Sequence, residues 1–71
     1  MTEETIAVTL NGDGRDVPAG RSVRELLEWL DLHPGLVVVE RNREILDRDR
    51  YGDVEVMDGD VLELVHFVGG G

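Results

Sequence analysis

The sequence predicts an α+β domain: a mixed sheet of four to five strands with one main helix across one face. Three observations carry that expectation. Residues 5–10 and 61–68 alternate in the period of a strand. Ser22-Val23-Arg24-Glu25 opens a segment with apolar residues at helical spacing. A short β-branched run, Val37-Val38-Val39, follows the helix.

Taken in order, Ile6, Val8 and Leu10 share one face of the first strand, and Thr5, Ala7 and Thr9 the other. Asn11-Gly12-Asp13-Gly14 supplies residues that tolerate positive φ and predicts a hairpin turn. Arg15-Asp16-Val17-Pro18 is the return strand. Pro18 lacks an amide donor, so it ends that strand or lies at its edge. Val23, Leu26, Leu27 and Leu30 form one stripe of a helix over 23–30. Pro34 and Gly35 prevent its continuation. A strand is predicted over 36–42 and a shorter one over 43–46. Residues 47–52 form a loop or a single helical turn, and 53–57 are weakly extended. Asp58-Gly59-Asp60 turns the chain into the last strand, 61–68. A hairpin, a crossover helix and a final long strand make the β-grasp arrangement. The domain spans 1–68, and 69–71 form a glycine tail.

Composition narrows the function. A chain of 71 residues makes one domain with a small core and no deep substrate cavity, so an enzyme is not expected. It has no cysteine, which removes disulfides and thiolate chemistry and suits a reducing cytoplasm. The polar Met1-Thr2-Glu3-Glu4 start is not a signal peptide, and the longest apolar run is too short to span a membrane. With 16 acidic and 7 basic residues the formal net charge is -9, which repels nucleic acid. That charge suits a partner with a basic face, or simply keeps a small protein soluble.

Gly69-Gly70-Gly71 is the ending with the most chemical promise. Glycine loses the most freedom on ordering and has no side chain to pack, so the tail is expected to project from the domain. It is also the narrowest peptide, able to enter a tunnel closed to other residues. Its α-carboxylate, with a reference pKa of about 3.3–3.7, is ionised at neutral pH. In the last strand, Leu62 and Leu64 point to the core, and Glu63, Val65 and Phe67 point to the open face. Val38 and Glu40 of the third strand join them. One helix covers one face only, so these five are candidate partner-docking residues. The structural alternative folds Phe67 over the sheet edge.

Other constellations carry less. Asp47-Arg48-Asp49-Arg50-Tyr51-Gly52-Asp53 has the start of a calcium loop, but it lacks the closing glutamate and flanking helices. No metal site is expected. His33 is read as a surface loop residue and His66, on the side of Leu62 and Leu64, as partly packed. No Ser, Cys or close acid completes a catalytic set around either. Trp29 flanks the core, and neither it nor Tyr51 makes a nucleic-acid stacking platform.

The ending Val65-His66-Phe67-Val68-Gly69-Gly70-Gly71 resembles the tail of the thiamine-pathway sulfur carriers, the ThiS family. Residues 37–46, Leu10-Asn11-Gly12, residues 20–27 and Asp58-Gly59-Asp60 are also similar to that family, at matching spacing over nearly the whole chain. Paired terminal glycines occur in molybdopterin carriers and ubiquitin as well; the short length favours the thiamine carriers. The resemblance implies a ubiquitin-like β-grasp fold and a carrier that is no enzyme. It implies that a ubiquitin-activating-like enzyme adenylates Gly71 with Mg and ATP, while the carrier itself binds no cofactor. A cysteine desulfurase relay then supplies sulfur, and thiazole synthase accepts it from the Gly71 thiocarboxylate. Gly70 and Gly69 thread the tail. The free chain is expected to be a monomer. A different acceptor (molybdopterin or a tRNA base) and a purely non-covalent ubiquitin-like module are the alternatives.

Overall fold

The computed structural model describes residues 4–67. Strands β1 (Thr5–Leu10) and β2 (Asp13–Pro18) are followed by helix α1 (Val23–Trp29). Then come β3 (Val37–Arg41), β4 (Glu44–Leu46) and β5 (Val61–His66). The five strands lie in the order β2-β1-β5-β3-β4. The central β1–β5 pair is parallel and the other pairs are antiparallel. The expected β-grasp is thus present with five strands.

The β1–β2 hairpin closes on two residues. Leu10 pairs with Asp13, leaving Asn11 and Gly12 in the turn with φ of 49° and 87°. Both central residues of such a turn need positive φ, which asparagine and glycine adopt most readily. Asp13 and Gly14, expected in the turn, therefore belong to β2. Pro18 ends β2 at the sheet edge, where no ladder donor is lost.

Helix α1 begins with the expected capping box. The Ser22 hydroxyl accepts from the Glu25 amide at 3.1 Å, and the Glu25 carboxylate accepts from the Ser22 amide at 2.9 Å. That backbone bond, and then the Ser22 hydroxyl, hold the Glu25 pKa below its ordinary value. The helix stops at Trp29, one residue early, because Leu30 serves as its cap. Val23, Leu26 and Leu27 are buried against Val8, Leu10, Val17, Val37, Val39 and Leu62.

Other boundaries shift for local reasons. Leu36 belongs to a 3-10 turn, Pro34–Leu36, capped by the His33 ring nitrogen accepting from Gly35 at 3.1 Å. Strand β3 accordingly starts at Val37. Asn42 and Arg43 form a second two-residue turn with positive φ, so β4 starts at Glu44. Strand β5 ends at His66, and Val68, expected in it, lies outside the described residues.

Tyr51 departs most from expectation. It is 3% exposed, although it follows the 3-10 turn Arg48–Arg50 in the polar segment expected to be a loop or a single helical turn. Its hydroxyl donates to the Val37 carbonyl at 2.8 Å and accepts from the Val39 amide at 3.1 Å. These β3 groups lie where the short β4 gives out, since pairing with β4 reaches only Val39. One phenol oxygen thus replaces a missing stretch of strand. Asp60 is also buried. It accepts from Arg41 Nε at 2.9 Å, Asn42 Nδ2 at 3.1 Å and the Met57 amide at 2.9 Å. Burial raises its pKa, but these bonds and the Arg41 charge outweigh burial and leave it below the ordinary value.

Candidate functional site

The open face of the sheet forms around β5 because alternation sends its residues in opposite directions. Leu62 is fully buried, Leu64 is partly buried, and Glu63 and Val65 are exposed. The register sets their neighbours: Val38 pairs with Val65 and Glu40 with Glu63. The Phe67 amide donates to the Leu36 carbonyl at 2.8 Å, continuing the β3–β5 ladder past its last paired residues. The five predicted docking residues thus lie together. Val65 is 54% exposed and Phe67 is 53% exposed, so Phe67 does not fold into a covered edge.

Ile45 was not anticipated here. It pairs with Glu40 from β4, so it extends the row Glu63–Glu40, and it is 68% exposed. The signal was available: a two-residue turn after Arg41 places Ile45 opposite Glu40. Leu36 and Val61 are exposed apolar residues bordering the same region.

Two asparagines hold β5 in place. The backbone pairing of β1 with β5 covers only Thr9–Val61 and Leu10–Leu62. The Asn11 side chain carries it further, accepting from the Leu64 amide at 2.7 Å and donating to the Leu64 carbonyl at 3.2 Å. On the other flank, Asn42 Oδ1 accepts from the Val61 amide at 2.9 Å. Both asparagines occupy the first place of a two-residue turn, so one residue type supplies positive φ and a side chain that mimics a strand.

His66 corrects an expectation: it is exposed, beyond the reach of the core that partly covers Leu64. Among the described residues no group of histidine and acidic side chains is placed to hold a metal ion. Among the described residues no helix is long and apolar enough to cross a membrane. Gly69, Gly70 and Gly71, the predicted tail, lie outside the described residues.

A β-grasp with an exposed apolar face on the strand leading to a glycine ending is the frame for the comparison with known proteins. A model of the ThiS family matches residues 7–71. The chain belongs to the ThiS family. It is 45% identical over 62 residues to the sulfur carrier protein ThiS of Bacillus subtilis, spanning 83% of this chain and 94% of that one. The crystal structure of the thiamine biosynthesis protein ThiS from Geobacter metallireducens superposes with a TM-score of 0.78 at 36% identity. That match covers 93% of this chain and all of the other. A thiazole synthase of Magnetococcus marinus is 41% identical over 64 residues, which are 90% of this chain and 20% of the synthase. ThiS proteins are small sulfur carriers of thiamine biosynthesis, not enzymes, and as a ThiS this chain is such a carrier.

Proposed function

We propose that this ThiS protein carries sulfur as a thiocarboxylate on Gly71. A ubiquitin-activating-like enzyme supplies Mg and ATP; the Gly71 carboxylate attacks the α-phosphate, and pyrophosphate leaves. A cysteine persulfide of the desulfurase relay displaces AMP to give an acyl disulfide, and a second thiol of the partner reduces its S–S bond, releasing the Gly71 thiocarboxylate and leaving a disulfide on the partner. Thiazole synthase then takes the sulfur into the thiazole of thiamine. The carrier contributes no catalytic side chain and no bound cofactor. It contributes a narrow glycine tail through Gly69 and Gly70, and a face that positions that tail. The cytoplasm is the proposed site of this chemistry.

The observation that carries the reading is continuity. Phe67, Val65, Val38, Glu63 and Glu40 form one open face, and three of them lie on the run of chain that leads directly to the tail. A partner that docks there is held beside the point where the tail begins. The synthase relatives support the choice of acceptor, since a fifth of that polypeptide resembles nearly this whole chain. Joining two modules in one polypeptide raises their effective concentration, which benefits modules that work on each other.

The test is intact mass after incubation with the adenylating enzyme, ATP and a sulfur source. The product should be about 16 Da heavier, the increment that oxidation of a methionine also gives, so fragmentation must place it on Gly71. A chain extended beyond Gly71 should fold normally and take up no sulfur. Loading of the extended chain would refute the reading.

A further inference from the structure

The open face carries an arrangement that a merely solvated surface disfavours. Glu40 and Glu63 are direct partners across β3 and β5. Directly opposed residues place their Cβ atoms about 4.5–5.5 Å apart, and like charges there are destabilising. Neither carboxylate has an ion-pair partner among the described residues. Arg41, next in sequence to Glu40, points to the other face and is committed to Asp60 at 2.9 Å. The surroundings are apolar: Val38 and Val65 form the next row, Ile45 flanks Glu40, and Val61 precedes Glu63 by one strand repeat.

While the face is bare, water screens the two charges. Covering it with an apolar protein surface would strip that water and leave two unpaired carboxylates, which is strongly unfavourable. A partner that covers this face must therefore bring a cation to the row Glu40–Glu63. A guanidinium suits the task best. Its donors point outward in one plane and reach two carboxylates at once, whereas an ammonium is a compact and more strongly hydrated charge.

We propose that Glu40 and Glu63 together receive one arginine side chain of the protein that docks on this face, with Val38, Val65 and Ile45 excluding water around it. This rests on the reading that a partner docks on the open face, commits to the adenylating enzyme as that partner, and names the chemistry which that enzyme must present.

The experiment titrates the full chain with the adenylating enzyme in a calorimeter. The double variant E40Q/E63Q should bind at least about thirtyfold more weakly, the lower end of the range for truncating one side of a buried charge pair. Each single variant should show most of that loss, because one cation bridges both carboxylates. The melting temperature of the double variant should equal or exceed that of the parent, since a repulsion has been removed. Glu28→Gln, the charge change of each single variant placed on the exposed side of α1, should leave affinity within twofold. Unchanged affinity in the double variant overturns the inference, and so does an equal loss in Glu28→Gln, which would reduce the effect to overall charge. Phe67→Asp separates the two levels. If it weakens binding while E40Q/E63Q does not, docking stands and the arginine receptor falls. If Phe67→Asp also binds normally, the docking reading itself fails.

Discussion

Tyr51→Phe removes one oxygen atom and leaves the ring in place. The oxygen satisfies two backbone groups of β3, the Val37 carbonyl and the Val39 amide, at 2.8 and 3.1 Å. Both residues are fully buried, and β4 is too short to replace the lost partner. Leaving a buried polar group unsatisfied costs about 1–3 kcal/mol, so the variant should lose roughly 2–4 kcal/mol if little water enters. For a domain of this size each kcal/mol is worth roughly 4–8 °C, giving a drop of about 8–32 °C in melting temperature. Urea unfolding followed by circular dichroism measures the loss directly. Its slope with denaturant should be unchanged, since the surface exposed on unfolding is unchanged. Amide exchange at Val39 should quicken more than exchange in the β1–β2 hairpin. A loss below about 0.5 kcal/mol, the ordinary range for a surface substitution, would show that the phenol oxygen does not complete the β3 edge.

Three further outcomes follow from the same structure. Asp60 has a folded pKa below its ordinary value, so its contribution is complete above the unfolded value, about 3.9, and is lost as pH falls through the folded one. The urea midpoint of the parent should therefore fall as the pH drops below about 4; Asp60→Asn should start lower at pH 7, with Arg41 left without its carboxylate, and fall less steeply on acidification. Some slope will remain, because Glu25 is shifted in the same direction by its capping bonds. Arg43→Gly should stabilise the domain by about 1 kcal/mol in thermal unfolding, because Arg43 sits at φ 72° where a Cβ is strained; a destabilised variant would mean that the arginine side chain makes a contribution larger than that strain. Ser22→Ala removes the hydroxyl that accepts from the Glu25 amide, while the backbone amide at 22 can still donate to the Glu25 carboxylate, and should cost about 0.5–2 kcal/mol, checked by the same melt.

Much of the fold was legible because periodicity and turn chemistry agreed with each other. The alternation of Ile6, Val8 and Leu10, the capping box at Ser22 and the spacing of Val23, Leu26 and Leu27 each name a buried face without reference to the rest of the chain. The alternation of β5 also named Glu63, Val65 and Phe67 as outward-facing. Long-range polar bonds were not legible. Tyr51 reads as a loop aromatic until β4 is known to stop short of the backbone groups it satisfies. Asp60 looks like one more turn aspartate until Arg41 and Asn42 arrive from a strand and turn far away in sequence. Asn11 announces a turn through its partner Gly12, but its bonds to Leu64 span most of the chain. Ile45 failed for a different reason: three residues of β4 contain too little alternation to declare a face, and only the register with β3 does so.

Strand β5 explains how so small a domain can leave one face of a central strand open without weakening itself. Its two sides answer to different constraints. Leu62 and Leu64 are fixed by the core, and the asparagine bonds at Val61 and Leu64 fix the backbone from both flanks. Glu63 and Val65, and Phe67 just beyond the strand, are exposed and lie outside the buried core cluster. Replacing an outward residue should therefore change association with little effect on unfolding, while truncating Leu62 should cost about 2–5 kcal/mol and leave the chemistry of the face unaltered in whatever fraction remains folded. A variant series along this strand should alternate between the two kinds of loss with the period of the pleat. If Val65→Ala unfolded the domain as readily as Leu62→Ala, the outward face would be part of the fold's own stabilisation, and a docking role for it would lose its physical basis.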